Sequence, residues 1–232
     1  MDLVDNGRNL TRLVANALGQ AIVQGKYEAT SCLPTEAEIS TQFSTSRSVT
    51  REAVKMLTAK GLIASRPRQG IRVQPLSQWN LFDTEVLHWL MAARPSEVLR
   101  QEFAEMCCAI VPEAVALACR HVSGEALDNV SVALQEAEES VGNPQRWADA
   151  QEKLMSAFIQ ASGNRFFSQF DDFLRVTLRL HSAHIHRLPH STEPHRAVCQ
   201  ALIEGRAQAA AAAVRRLMTE CFGWSFSAEA LC

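Results

Sequence analysis

Apolar residues recur at intervals of three and four along residues 10–24, the spacing that places them on one face of an α-helix. Gly25 follows at a position suited to end that helix. Further along, Thr35 and Glu38 stand three residues apart. This spacing is typical of a capping box, in which each side chain accepts a hydrogen bond from the backbone of the other residue. The pattern therefore predicts one amphipathic helix and then a second, short helix that begins after Thr35.

A third helix is predicted over residues 47–60, because the turn at 44–46 can cap its start and Gly61 can end it. At about 100° per residue, its polar and apolar side chains separate onto two faces. The polar stripe holds Arg47, Ser48, Arg51 and Lys55, and the apolar residues roughly opposite are Val49, Ala53, Met56 and Leu57. One face is thus predicted to pack on a core, while the other is free to bind a charged partner.

Two short β-prone runs, LIAS and IRVQ, follow this helix and are separated by RPRQG. That arrangement predicts a β-hairpin whose tip carries Arg66, Arg68 and Gly70. Two helices joined by a short turn and followed by a basic hairpin form the layout of a winged helix-turn-helix. In that layout the recognition helix enters the major groove of DNA, and the wing reaches phosphates or the minor groove.

The distribution of charge also favours DNA binding. The chain of 232 residues has a formal net charge of −2. Residues 1–78 carry ten Lys and Arg against six Asp and Glu, whereas residues 79–232 carry thirteen against nineteen. A module that approaches phosphates gains from positive charge, since each neutralised phosphate releases condensed counterions. We therefore expect the first part to bind double-stranded DNA and the acidic second part to have other partners.

The segment LPTEAEISTQFSTSRSVTREAVKMLTAKGLIASRPRQGIRV resembles the winged-helix signature of the GntR family of bacterial transcription regulators. Its P-[ST]-E, S-R, R-E-A and L-x-x-x-G-L-I elements occur in the family's order. The resemblance implies that the start of the third helix contacts bases and backbone, and that the hairpin tip lies at the minor groove. The predicted DNA-binding residues are Thr35, Ser46, Arg47, Ser48, Arg51, Arg68, Gln69 and Gly70.

The rest of the chain is predicted to be helical, because its apolar residues keep helical spacing and its Gly and Pro residues gather at the breaks. The predicted helical segments are 82–92, 95–120, 123–140, 145–162, 165–187 and 193–223. The predicted fold class is mainly α: an N-terminal winged helix-turn-helix with three helices and a β-hairpin wing, then an all-α antiparallel helical bundle. The predicted divisions are a DNA-binding domain at 1–76, a linker at 77–80, a helical effector-binding and dimerisation domain at 81–226, and a tail at 227–232.

This second part resembles the FCD effector domain, which accompanies GntR-type winged helices in the FadR subfamily. The stretches FIQASGNRFF and PHRAVCQALIEGRAQAAAAAVRRLM carry the resemblance, and the junction SQWNLFDTEVLHWL is similar to that of the galactonate-operon repressor group. The resemblance implies a repressor of a catabolic operon that is released by a small carboxylate or sugar-acid effector. We expect a homodimer on an inverted repeat, because two-fold protein symmetry is mirrored in operator symmetry.

FCD domains commonly hold a divalent metal with an Asp and a His four residues apart and two further histidines. The matching positions in this chain are Gln151, Met155, His195 and Leu217, and Cys107 stands where an effector-binding arginine is expected. One imidazole, one thioether and one amide make a poor site for such a metal. We therefore expect no metal cofactor, and we expect the effector to be recognised through other contacts.

Two other sets of side chains in the second part have more than one interpretation. Five histidines lie within HSAHIHRLPHSTEPH, where they form either a different metal site or a solvated polar loop. Arg175 and Arg179 lie one helical turn apart and can bind the carboxylate of an effector. They can equally form salt bridges with Asp171, Asp172 or a neighbouring helix. The predicted effector-binding residues are Cys107, Gln151, Met155, Arg175, Arg179, His181, His195 and Leu217.

The sequence lacks the motifs of common enzyme classes: a glycine-rich phosphate loop, G-x-S-x-G and H-E-x-x-H are all absent, so we expect no enzymatic activity. The seven cysteines follow no C-x-x-C spacing, and no stretch is apolar enough to span a membrane. We therefore expect a reducing compartment, the cytoplasm, and no membrane partner. An alternative hypothesis keeps DNA binding but makes the helical bundle a dimerisation platform without a small-molecule effector.

Overall fold

The computed structural model describes residues 3–66, 69–121, 123–188 and 190–223. The chain forms two units, Met1–Pro95 and Ser96–Cys232. Helices predominate in both, and the described residues contain one two-stranded antiparallel sheet, so the predicted fold class is confirmed. Within these residues, no helix is long and apolar enough to cross a membrane.

The first unit contains the predicted winged helix-turn-helix. Its elements are α1 (Leu3–Val23), α2 (Glu36–Gln42), α3 (Arg47–Ala59), β1 (Ile63–Arg66), β2 (Gly70–Val73), a 3-10 turn (Leu76–Gln78) and α4 (Thr84–Ala93). The order of three helices followed by a hairpin is the predicted one. A fourth helix, α4, completes the unit.

The core of the first unit forms where α1 packs on α3 and α4. Val14, Leu18 and Ile22 lie at helical spacing on α1 and are fully buried. The predicted helix is therefore confirmed, but its N-terminal apolar residues do not all reach the core. Leu10 and Leu13 remain exposed.

The buried face of α3 differs in part from the predicted one. Its buried residues are Thr50, Ala53, Val54 and Leu57. Val49 and Met56, which were predicted to lie in the core, are only half-buried. The reason is that Thr50, whose hydroxyl group is hydrogen-bonded, lies in the core. The buried face of the helix therefore contains one polar residue.

Helix α4 packs on α1 through a large aromatic side chain. The Trp89 indole lies against Gly19, where an added Cβ would come within 2.5 Å of the ring. The indole Nε1 donates a hydrogen bond to Asn16 Oδ1 at 2.9 Å. The segment 77–80, predicted as a linker, falls within the first unit, where it precedes α4.

The wing is a short antiparallel hairpin. Its pairing runs from Ile63 opposite Val73 to Arg66 opposite Gly70. The segment between α1 and α2 pairs with the other side of β2 through an isolated bridge at Cys32. Because backbone hydrogen bonds hold both edges of β2, the base of the wing is fixed to the helical core.

The second unit is entirely helical in its described residues. Its elements are α5 (Glu97–His121), α6 (Gly124–Glu139), α7 (Pro144–Gln160), α8 (Arg165–Gln169), α9 (Asp171–Leu180), α10 (Ser182–Ile185), α11 (Glu193–Ile203) and α12 (Ala207–Phe222). Helix α5 lies at the centre of the packing and contacts α7, α9, α11 and α12, while α6 packs on α7 and α11.

Two segments predicted as single helices are interrupted, so those predictions were wrong in detail. The segment 165–187 forms three helices, α8 to α10, which are separated at Phe170 and His181. The segment 193–223 forms α11 and α12, because Gly205 adopts a φ of 68°, a left-handed conformation that ends a helix. Apolar spacing continues across such short breaks, and it therefore does not reveal them.

Candidate DNA interface and candidate effector site

Helix α2 begins with the predicted capping box. The Thr35 backbone N–H donates to Glu38 Oε2 at 2.7 Å, and the Glu38 backbone N–H donates to Thr35 Oγ1 at 3.3 Å. The hydrogen bonds from Thr35, first from its backbone and then from its side chain, lower the pKa of the Glu38 carboxyl. The capping-box prediction is confirmed, and the Thr35 hydroxyl is thereby committed to fixing the start of α2.

Three hydroxyl groups join α2 to α3. The Oγ1 atom of Thr50, fully buried on α3, lies 2.9 Å from Ser40 Oγ and 3.2 Å from Thr45 Oγ1. Ser40 in turn donates to the Glu36 carbonyl at 2.7 Å. These hydrogen bonds satisfy a polar group inside the core and fix the angle between the two helices. Sequence reasoning missed this cluster because it assigned only apolar residues to the core.

The exposed face of α3 presents the predicted basic stripe. Ser46 caps the helix by accepting a hydrogen bond from the Val49 N–H, and its hydroxyl shares a hydrogen bond of 2.9 Å with Ser48. Arg47 and Arg51 are exposed, and among the described residues neither has a carboxylate within ion-pair distance. Unpaired guanidinium groups on the first turns of an exposed helix suit contacts to base edges and phosphates.

Further along α3, Lys55 forms an exposed ion pair with Glu52 at 2.7 Å. A shallow groove of about 490 Å³ lies beside this end of the basic stripe. It is lined by Glu36, Arg51, Val54, Lys55, Thr58, Ala59 and Ser65. The groove therefore mixes positive charge with hydroxyl and apolar groups next to the stripe.

Two other basic residues of this region make contacts within the first unit. The Lys60 Nζ lies 2.7 Å from Asp83 Oδ2 and 2.7 Å from Glu85 Oε2, and only 13% of its side chain is exposed. Burial alone would lower the pKa of Lys60, but the hydrogen bonds and charges of the two acids outweigh it and raise the pKa. Arg72 donates from Nη1 to the Thr30 carbonyl at 3.1 Å. The charge of Lys60 is therefore neutralised within the first unit, whereas Arg72 remains exposed and keeps its charge.

The tip of the wing is described only in part. Gln69 donates its backbone N–H to the Arg66 carbonyl at 3.1 Å, which closes the turn. Gly70 has a φ of 76°, and an added Cβ would meet no atom within 4 Å. Arg68, predicted to contact DNA, lies outside the described residues.

In the second unit, the predicted arginine pair forms a salt-bridge network with α7. Arg175 donates to Asp171 at 2.9 Å, to Glu152 at 3.1 Å and to Ser156 at 2.9 Å. Arg179 donates from Nε and Nη2 to the two oxygens of Glu152 at 2.7 and 2.8 Å. Of the two interpretations offered by the sequence, the structure shows the salt bridges. Sequence reasoning missed Glu152 and Ser156, which lie on a different helix.

The face of α7 that carries Gln151 and Met155 points into the core, and both side chains are buried. Trp147 lies one turn earlier on the same face and is also buried. His195, the third residue of α11, meets the Trp147 ring edge-on with ring centroids 5.9 Å apart. The structure therefore brings His195 to the helix that carries Gln151 and Met155. Trp147 was missed, although its spacing of four residues from Gln151 gave a signal.

We call Trp147, Gln151 and His195 the inner polar site. Within the described residues, Trp147 Nε1 and Gln151 Oε1 lack a hydrogen-bond partner, and the His195 ring has only a polar contact with the Ser191 backbone that falls outside standard hydrogen-bond geometry. Leaving one buried polar group unpaired costs about 1–3 kcal/mol. Burial, partly opposed by the Ser191 backbone, lowers the pKa of His195 to about 4, so its imidazole is uncharged at neutral pH.

The remaining predicted effector residues lie on or next to other helices of the unit. Cys107 is fully buried on α5 next to Thr177, and burial raises the pKa of its thiol, which stays protonated. Leu217 is buried on α12, which packs on α5 and α11. The His181 ring lies 2.8 Å from the Thr177 carbonyl, and burial lowers its pKa.

The histidine-rich run does not converge on one point. His184 contacts the Glu220 carbonyl at 3.0 Å through Nε2, while His190 stacks on Trp147 with ring centroids 5.3 Å apart. Across the described ranges, no group of three or more His, Cys, Asp or Glu side chains is arranged to hold a metal ion. At the family's metal position, the amide of Gln151, the thioether of Met155 and a single imidazole do not fit a hard divalent metal.

Comparison with known proteins identifies the family. Residues 10–73 match "Bacterial regulatory proteins, gntR family", and residues 102–220 match "FCD domain". The chain belongs to the GntR family of bacterial regulatory proteins. It is a DNA-binding transcription regulator with an FCD domain, and the members of this family are regulators, not enzymes.

Two relatives from Escherichia coli K12 support this assignment. The HTH-type transcriptional regulator YieP is 34% identical over 165 residues, which are 70% of this chain and 72% of the relative. The galactonate operon transcriptional repressor is 31% identical over 161 residues, 69% of this chain and 70% of the relative. The resemblance of the sequence to the GntR family, with an FCD domain, is thereby confirmed.

Two solved structures share the fold at low sequence identity. The Listeria monocytogenes protein Lar is 17% identical, with a TM-score of 0.59, and the match covers 91% of this chain and 94% of Lar. E. coli McbR/YncC is 15% identical, with a TM-score of 0.51, over 92% of this chain and 95% of that protein. These likenesses concern the order and packing of the elements.

Proposed function

We propose that this GntR-family regulator is a repressor of a catabolic operon that binds as a homodimer to an inverted repeat. The observation that carries the proposal is the exposed stripe of Arg47 and Arg51 on α3, which starts from a capped N-terminus and has no acidic partner among the described residues. The similarity to a galactonate operon repressor supports the repressor role. Ser46, Ser48 and the wing residues Gln69 and Gly70 complete the operator contacts.

The second unit, in this proposal, binds a small carboxylate or sugar-acid metabolite that releases the protein from DNA. Arg175 uses its Nε, Nη1 and Nη2 atoms within the unit, whereas Arg179 is half-exposed and uses only Nε and Nη2. Arg179 is therefore the better candidate to bind an effector carboxylate. The unpaired groups of the inner polar site supply further hydrogen-bonding capacity.

Release requires that the effector bind differently to the DNA-bound and free arrangements of the dimer. A difference of about 1–3 kcal/mol between the two arrangements changes operator affinity roughly 5- to 150-fold. An effector that binds both arrangements equally leaves operator affinity unchanged.

The proposal is tested by fluorescence anisotropy of the protein on the DNA upstream of its own gene, at fixed salt, with and without sugar acids including galactonate. We expect tight binding of two chains per inverted repeat, loss of affinity when one half-site is scrambled, and release by at least one sugar acid. Equal affinity for the intact and half-scrambled repeat would contradict the dimeric arrangement.

The alternative hypothesis, a second unit that only dimerises, has one observation in its favour. Cys107, Met155 and Leu217 fill family ligand positions with buried groups that bind neither a metal nor an acid well. Operator binding that is tight and indifferent to every sugar acid would favour this alternative over release by an effector.

A further inference from the structure

The three hydroxyl groups between α2 and α3 form a chain of hydrogen bonds with a single direction. The Ser40 hydroxyl donates to the Glu36 carbonyl, which can only accept, so the one hydrogen of Ser40 is used there. Ser40 Oγ therefore accepts from Thr50 at 2.9 Å, and Thr50 Oγ1 accepts from Thr45 at 3.2 Å. The hydrogen bonds thus run from the turn, through α3, to the first residue of α2.

The turn at the start of this hydroxyl chain has a backbone conformation that favours glycine. Ser44 has a φ of 50°, in the left-handed region. A residue other than glycine keeps such a conformation only when its surroundings hold it there. Thr45 supplies two of these contacts, because its backbone N–H donates to the Ser40 carbonyl at 3.0 Å and its hydroxyl donates to Thr50. The turn is thus bound to α2 through the backbone and to α3 through a side chain.

The same turn leads directly into the start of α3. Ser46 caps the helix, and Arg47 is its first residue, three positions before Thr50. A binding side chain must be held within about 0.5 Å and 10–20° of its working geometry. A bidentate contact to a base edge depends on this alignment, whereas contacts to phosphate carry no sequence information. A tilt of α3 on α2 would therefore weaken recognition of a sequence more than binding to DNA in general.

The Thr50 hydroxyl contributes geometry to the core, not burial of apolar surface. The residue is fully buried, so it cannot itself contact DNA. A valine side chain has nearly the same shape and would fill the same space with apolar atoms. Apolar contacts are non-directional, whereas a satisfied network of hydrogen bonds favours one arrangement of the groups that it joins.

We propose that Thr50 is a positioning residue for DNA recognition, whose hydroxyl, with that of Thr45, sets the first turn of α3 so that Arg47 reads a base. The proposal rests on the proposed contact between Arg47 and the operator. It assigns part of the discrimination between operator and random DNA to a residue inside the core.

The test compares two affinities of the full-length protein, one for the DNA upstream of its own gene and one for random DNA of equal length. Thr50→Val removes the hydroxyl and should still fold, because Ser40 keeps its bond to Glu36 and the half-buried Thr45 hydroxyl can donate to water. Anisotropy titrations at one salt concentration should show that the ratio of operator to random affinity falls at least about tenfold. An unchanged ratio would overturn the proposal.

Two further variants show whether the hydroxyl of Thr50 is the cause. Thr50→Ser keeps the hydroxyl and loses a methyl group, so it should retain the ratio within about twofold. Thr58→Val makes the same chemical change about two turns later on α3, where the exposed hydroxyl donates to the Val54 carbonyl of its own helix at 2.8 Å. This control should also keep the ratio. A loss in either variant as large as that in Thr50→Val would contradict the positioning role.

A double-mutant cycle shows whether Thr50 acts through Arg47. In an Arg47→Ala background, Thr50→Val should change the ratio by no more than about twofold, because the contact that it positions is already absent. A further tenfold loss in that background would show that Thr50 acts independently of Arg47 and would overturn the proposal.

Thr45→Val keeps the test decisive if Thr50→Val folds poorly. It removes only the outer hydroxyl, at a half-buried position, and should lower the ratio in the same direction. Equal losses of affinity for both DNAs in the two variants would indicate a purely structural role and overturn the inference. If Arg47→Ala itself keeps the ratio, the proposed operator contact fails and the inference falls with it. If Arg47→Ala lowers the ratio and Thr50→Val does not, only the inference fails.

Discussion

In the proposed mode of operator binding, single residues on α3 contact the DNA. Arg47 stands at the first position of the helix, directly after the Ser46 cap, and has no acidic partner among the described residues. Its guanidinium is thus available for bidentate contact with a base edge in the major groove. Arg51 follows one turn later on the same exposed face.

Arg47→Ala should lower affinity for the operator by about 1–3 kcal/mol and leave binding to random DNA nearly unchanged, because a base contact carries sequence information. Anisotropy titrations on both DNAs at one salt concentration measure the difference. Arg12→Ala, at an exposed position on α1, serves as the matched control and should change neither affinity. Equal losses on operator and random DNA would show that Arg47 contacts only phosphates.

Gly61 ends α3 in a conformation and a space that other residues do not fit. Its φ is 77°, and an added Cβ would lie 2.1 Å from the Gln78 backbone oxygen. Gly25 has a similar φ of 73°, but an added Cβ there meets no atom within 4 Å. Comparing substitutions at the two glycines therefore distinguishes the cost of backbone strain from the cost of steric overlap.

Gly25→Ala should reduce the free energy of unfolding by about 1 kcal/mol through left-handed strain alone. Gly61→Ala should cost at least about 2 kcal/mol more, because the backbone of residue 78 must also move. Urea denaturation of both variants measures the difference. Equal losses would mean that the overlap at Gly61 relaxes without cost.

At the scale of elements, an ion-pair cluster joins the end of α3 to the start of α4. Lys60 lies between Asp83, the N-cap of α4, and Glu85 in its first turn. The Lys60 backbone carbonyl also accepts a hydrogen bond from the Asn80 N–H at 2.9 Å. The recognition helix is thus fixed to α4 within the first unit.

Lys60→Ala should destabilise the protein by about 1–2 kcal/mol, because it leaves two carboxylates close together with little solvent around them. Lys55→Ala, on the same helix, removes an ion pair that is more than half exposed and should cost less than about 0.5 kcal/mol. Chemical denaturation of the two variants gives the comparison. A Lys60→Ala cost as small as that of Lys55→Ala would show that the cluster adds no stability.

At the scale of the whole molecule, a buried imidazole makes stability depend on pH. The pKa of His195 falls from an ordinary 6.5 to about 4 in the folded protein. Between these values the unfolded chain holds a proton that the folded chain lacks, so stability decreases as the pH falls through this window. The loss of stability begins as the pH falls below 6.5 and is complete below about pH 4. It amounts to roughly 3 kcal/mol at most.

His195→Phe should flatten the loss of stability between pH 6.5 and pH 4, because the group that takes up the proton on unfolding is absent. Unfolding in urea at a series of pH values measures the slope. His186→Phe, at an exposed histidine, should keep the wild-type slope. An identical slope in His195→Phe and wild type would contradict the assigned pKa shift.

The sequence by itself determined those features that depend on residues close along the chain. The capping box at Thr35 and Glu38 and the end of α3 at Gly61 follow from short-range hydrogen bonds and backbone conformation. The alternation of hydrophobic and polar positions at short range also predicted the order of helices and hairpin in the first unit.

Only the tertiary structure decided which side chains have partners. It placed Thr50 in a buried hydroxyl cluster and paired Lys60 with the acids at the start of α4. It also paired Arg175 and Arg179 with Glu152. It also brought His195 to Trp147, 48 positions earlier in the sequence. These contacts arise between elements distant in sequence, and helical spacing gives the face of each residue but not the residue that faces it. These contacts determine which hydrogen-bonding and charged groups remain free to bind a ligand.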